Sequence, residues 1–181
     1  MKIHLRITSL AALAAILAAG ICLVSTAPAA EETKSETKAK SALSANDKRF
    51  VKKAYMGGIT EVANAKMAKE KAREDATKEV AERMITDHSA ANDRLMEIAK
   101  EESLDLSKVE AKPATIADDG FDKKYLAMLK KEHMKDIAMF EKEAADKSAG
   151  EDADVPAFAK KTLPTLKEHL QMVEDALAKM K

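Results

Sequence analysis

The stretch MITDHSAANDRL, residues 84–95, decides how the chain is read. Met84, His88, Ala91 and Leu95 follow one another at spacings of three and four, and the stripe extends back to Val80 or Ala81 and on to Ile98. This is the period of an amphipathic helix, with an imidazole at a position where the repeat calls for an apolar side chain.

The same period recurs on both sides. Val51, Ala54, Gly58, Glu61, Ala65 and Ala68 share one face of a first helix over about 47–72. Ser44 with Asp47 three residues on has the form of a capping box at its start. The helix around His88 covers about 76–102, after a turn near 73–76 that carries no Gly or Pro. Pro113 and Gly120 mark a loop of about 15 residues. A third helix begins near Phe121, with Leu126, Leu129, His133, Ile137 and Phe140 in line. A fourth begins around Val155 or Pro156 and carries Ala159, Leu163, Leu166, Leu170 and Val173, with Pro164 predicting a kink or a late start. No segment alternates like a strand. The reading is all-α, an antiparallel four-helix bundle with short, long and short connections, because that arrangement buries every stripe.

Composition agrees with this architecture. Charged residues are 34% and hydrophobic ones 46%, with aromatics only 3%, as in long amphipathic helices. Residues 1–29 read as a secretory signal: a basic MKIHLR start, an apolar run and a small-residue exit at Ala27 and Ala29. A retained membrane anchor is the competing reading of that run. Residues 30–46 read as a flexible tether, and residues 47–181 as the bundle domain. The expected location is outside the cytoplasm, in the periplasm or at the outer membrane. Cys22, the single cysteine, lies in the signal, so the exported chain is expected to have no disulfide. Losing the signal removes Lys2 and Arg6 and no acid, taking the formal charge from +0 to −2. Nothing there favours nucleic acid as a partner. A protein or small-ligand partner and docking to a membrane stay open, as does the oligomeric state.

The chain beyond the signal has three histidines, His88, His133 and His169, one on each of the last three helices. Counting back from each turn at ~1.5 Å per residue places Glu61 opposite roughly residue 85, His88 opposite roughly 134 and His133 opposite roughly 166. One carboxylate and three imidazoles are thus expected at a common height. A buried carboxylate without a partner costs several kcal/mol, so Glu61 needs a proton, a histidine or a metal.

Gly57-Gly58, Glu61-Val62, Asp87-His88, Ala91-Asn92, Phe121-Asp122, His133, Asp136 and the run Leu163-Pro164, Leu166, His169-Leu170 occur here in order. Together they resemble a bacterial family, domain of unknown function 4142, across residues 47–177. The resemblance implies a ferritin-like fold and an export route, and the family has no established activity. Glu132-His133 stands where the family commonly repeats Asp-His, and Ala65 where a glycine is usual.

Di-iron bundles need a Glu-x-x-His on each of two helices. Ile85, Lys130 and Leu166 occupy the positions three before the histidines, so that reading fails. Two readings remain. In one, a Glu-His layer satisfies itself and fixes helix register in a non-enzymatic envelope or stress-related binding or scaffold protein. In the other, Glu61, His88, His133 and His169 hold a single transition metal, zinc, copper or iron, with Asp136 behind them, for storage, sensing or redox use. No serine or cysteine nucleophile motif appears, and no other cofactor is expected. The paired glycines 57 and 58 predict close approach of a neighbouring helix or, less simply, room for a ligand.

Overall fold

The computed structural model describes residues 43–147 and 153–180. The expected signal, and all but the last few residues of the expected tether, lie outside them.

Four helices make up the described chain: α1 (Ala45–Lys71), α2 (Asp75–Glu101), α3 (Phe121–Ala144) and α4 (Asp154–Lys179). They form a four-helix bundle, and no strand occurs among the described residues. The capping box closes α1 as expected: Ser44 Oγ accepts from the Asp47 N–H at 3.1 Å, and Asp47 Oδ2 accepts from the Ser44 N–H at 3.0 Å. Asp122 performs the equivalent service across helices. Its carboxylate accepts the N–H groups of Arg73 at 3.2 Å and Glu74 at 3.1 Å, which stand exposed where α2 begins. Gly120 precedes α3 with φ of 60°, a left-handed conformation that glycine adopts without cost. α4 runs unbroken from Asp154 through Pro164, so the expected late start does not occur. The carbonyl deprived of a donor by the proline is that of Lys160, an exposed residue that water reaches.

The two hairpins, α1–α2 and α3–α4, join through α2 against α4 and α1 against α3. The connection between the hairpins is where counting from the sequence goes astray. Residues 102–120 do not turn back at the end of α2. They run the length of the bundle along α1, with the Lys112 N–H on Thr60 Oγ1 at 2.9 Å and the Ala114 N–H on Asn64 Oδ1 at 2.8 Å. Leu104 and Leu106 pack at one end of the bundle and Ile116 at the other. Such a segment can extend to about 60 Å, against about 40 Å for a helix of this length, so the crossing is easy. α3 therefore runs parallel to α2, while each helix is antiparallel to those it packs against. His88 and His133 nevertheless share a level, because both sit at the middle of their helices, where either chain direction gives the same height.

The core is split in two. One cluster gathers Ala65, Ala68, Val80, Met84, Tyr125, Leu129 and Val173 at the α1–α2 turn. The other gathers Phe50, Val51, Leu95, Ile98, Phe140, Phe158 and Leu166 at the opposite end. Phe50 and Phe140 meet edge to face there, centroids 4.9 Å apart. Glu61, His88, His133 and His169 lie between the two clusters.

At the far end, Glu143 of α3 shares a hydrogen bond with the buried cap residue Asp47. Burial, then the neighbouring Asp47 charge and that bond, push the Glu143 carboxyl from its ordinary 4.5 to about 7. Between those values the folded chain holds a proton that the unfolded chain has released. The contribution to stability is therefore complete below about 4.5 and is lost as pH rises through about 7. Glu143→Gln keeps the hydrogen bond without the titration. Urea unfolding at pH 5 and pH 8 is expected to show the variant gaining on the parent at the higher pH, and a difference that does not change with pH would contradict this account.

Candidate metal centre

The three imidazoles form a nearly equilateral triangle, with ring centroids 5.6 Å apart for His88 and His133, 5.2 Å for His88 and His169, and 5.3 Å for His133 and His169. Each offers one nitrogen within 4.8 Å of the others, and all three residues are buried. His88 and His133 hold the stripe positions expected of them near mid-helix, whereas on α4 it is His169 that is buried and the expected stripe residue Leu170 that is half-buried.

Proton placement follows from the neighbours. His133 Nδ1 lies 3.1 Å from the carbonyl oxygen of Leu129, which can only accept, so Nδ1 carries the hydrogen. His169 Nε2 lies 2.8 Å from Asp87 Oδ2. Burial works against ionisation of Asp87, but hydrogen bonds from His169 and Arg83 outweigh it and hold the carboxyl below its ordinary range. An ionised Asp87 also only accepts, so His169 carries its hydrogen on Nε2. The inner nitrogens, His133 Nε2 and His169 Nδ1, then face each other at 3.2 Å with a lone pair each. Only a shared proton or a metal cation makes that contact favourable. Burial, followed by mutual repulsion of charge, lowers His88 to about 3 and His133 to about 4. His169 is also lowered, by burial working against its bond to Asp87. Near neutral pH the imidazoles are uncharged, which is the form that binds metal.

Glu61 is 97% buried but stands to one side of the triangle. Its Oε1 lies 3.3 Å from His133 Nδ1, the outer nitrogen, and its Oε2 lies 3.1 Å from His88 Nε2. Neither contact has hydrogen-bond alignment, which leaves His88 Nε2 and Glu61 Oε1 without a partner among the described residues. Burial, then the charges of Asp136 and Glu132, push the Glu61 carboxyl well above its ordinary value. The structure thus brings all four sequence candidates into one layer, with the three imidazoles converging and Glu61 beside them. Asp136 makes no hydrogen bond to an imidazole and lies instead against Glu61, with its own carboxyl raised to about 6 by burial and by Glu132.

The carboxylate that orients an imidazole is Asp87, from the α2–α4 contact. Arg83 holds it from one turn away and also reaches Glu168 Oε2 at 3.4 Å. Asp87 precedes His88 in sequence but serves His169, because adjacent positions on a helix point in different directions. The Arg83–Asp87 spacing of four residues was the available signal, though it does not say which helix the pair faces.

The paired glycines divide their roles. A side chain at Gly57 would meet nothing within 4 Å, whereas a Cβ at Gly58 would come within 2.2 Å of Asn92 Oδ1. Close approach of a neighbouring helix is thus real at Gly58 alone.

Compared with known proteins, the chain matches the sequence model described as Domain of unknown function (DUF4142) over residues 32–176. No curated protein and no solved structure matches it.

Gly57→Ala is expected to raise unfolding stability by about 0.5–1 kcal/mol through helix propensity alone. Gly58→Ala must displace the buried Asn92 carboxamide and is expected to fall below Gly57→Ala in the same urea titration. Equal gains for the two would remove the contact between Gly58 and Asn92 from the account.

Proposed function

Because the chain belongs to a family described only as a domain of unknown function (DUF4142), its role must come from the site, and we propose that it binds a single borderline transition-metal ion, zinc or copper, at His88, His133 and His169. The observation that carries this is the 3.2 Å contact between His133 Nε2 and His169 Nδ1, whose outer nitrogens are both committed to acceptors. Two imidazoles on one tetrahedral ion at 2.0–2.1 Å stand about 3.3 Å apart, close to the separation found here. A carbonyl on His133 and a carboxylate on His169 are the outer contacts that orient metal-bound imidazoles. Neutral nitrogen ligands suit zinc and copper better than calcium or magnesium.

The signal-like start of the sequence supports a location in the periplasm or at the outer membrane. No helix among the described residues is long and apolar enough to cross a membrane. The protein is then a non-enzymatic envelope protein that holds or buffers a metal. In the rival reading the His133–His169 pair shares a proton, balanced by Asp87, and the layer only fixes register. The lowered proton affinity of the imidazoles disfavours this at neutral pH.

The untagged protein, stripped and titrated with zinc or copper(II), is expected to bind one ion per chain and to melt at higher temperature in excess metal. His133→Ala is expected to abolish both effects. Asp87→Asn, which exchanges an ionised acceptor for an amide, is expected to weaken binding about 10–100-fold. An unchanged melting temperature with no bound metal would leave the proton-sharing scaffold in its place. Protons compete for the same nitrogens, so affinity is expected to fall as the pH is lowered.

A further inference from the structure

We propose that the three-imidazole centre keeps one coordination position for an exchangeable neutral O–H or N–H ligand of one or two heavy atoms, received in the cavity beneath the layer. The inference rests on reading the centre as a metal site and concerns what else the ion binds.

One turn above the layer, Ala65, Met84, Leu129 and Val173 close the bundle, each with 0% exposure. One turn below, the corresponding positions include Gly58, Asn92, Asp136 and Leu166, and a cavity of about 20 Å³ lies among them. Glu61 and His88 line this cavity from the layer itself. Its volume suits one water-sized molecule, and Phe140, Phe158 and Leu166 bar anything larger.

The chemistry of the wall specifies the ligand. Asn92 Oδ1 and Glu61 Oε1 have no hydrogen bond among the described residues, on side chains of residues 7% and 3% exposed. Both oxygens can accept a hydrogen. Three protein nitrogens leave a tetrahedral ion one ligand short, the pattern of sites that exchange a ligand. A molecule that gives its lone pair to the ion and its hydrogens to two acceptors satisfies all three demands. Water does so, as does a small neutral hydroxyl or amine compound. An anion without hydrogens, such as azide, sets lone pairs against both oxygens and leaves them unpaired.

The test uses the full chain loaded with cobalt(II), whose visible bands report coordination, with hydroxylamine as the neutral probe and azide as the anion. One cobalt per chain, with bands that shift saturably with hydroxylamine and not with azide, is the expected result. Asn92→Leu, outside the ligand set, should keep the cobalt and weaken the hydroxylamine response about tenfold, the loss of one buried hydrogen bond. Bound cobalt with bands unmoved by hydroxylamine overturns the open position and leaves the metal reading standing. An azide response as strong as that to hydroxylamine overturns the neutral-ligand assignment. Failure to take up any cobalt overturns the metal reading and this inference with it.

Discussion

The contact between His133 Nε2 and His169 Nδ1 sets the terms for the rest of the bundle. Two lone pairs at 3.2 Å repel, and the surroundings prevent either ring from turning away, so a cation between them relieves a strain that the metal-free pair must bear. The Leu129 carbonyl holds one outer nitrogen and Asp87 the other. Asp87 in turn is held by Arg83 on its own helix, so the orientation of a buried ring on α4 is fixed from the surface of α2. An α3–α4 hairpin packed only through leucines could slide by a turn at modest cost. With this layer in place, a slide strands buried polar groups, each costing about 1–3 kcal/mol.

The layer also explains why the core is divided. Apolar residues fill the bundle above and below, and the polar side chains at the waist are the ones least compatible with an ordinary core. Their tolerance depends on small residues. Ala65 forms the α1 side of the roof, and Gly58 admits the Asn92 carboxamide where any side chain would collide. The glycine costs helix stability, so its position is best understood through what it makes room for.

Much of this was legible in the amino-acid order. Helical period located four helices to within one or two residues, with caps or loops marking most of their ends, while the unmarked break between α1 and α2 followed from ordinary helix length. Glu61, His88 and His133 could be grouped because they interrupt those stripes near mid-helix, where height does not depend on chain direction, and His169 joined them as the neighbour of Leu170 at the same height. What stayed hidden was relational. The direction of α3 depends on whether residues 102–120 turn back or cross, and a polar loop of that length permits both. Asp87 looked like a neighbour of His88 and serves His169 instead, since only packing of α2 against α4 decides which helix receives it. Asp136, one turn from His133, seemed suited to orient that ring and faces Glu61. Glu61 was placed at the right height, but which edge of His133 it meets follows from ring rotation, on which residue spacing is silent.

The state of the inner nitrogens is the most direct check. Nitrogen-15 NMR of the imidazoles in the metal-free protein at neutral pH reads each ring nitrogen separately. The expected spectrum has hydrogen on His133 Nδ1 and His169 Nε2, with both inner nitrogens unprotonated and shifting together when one equivalent of zinc is added. An inner nitrogen already protonated at neutral pH, with a spectrum indifferent to zinc, would contradict the account at its centre.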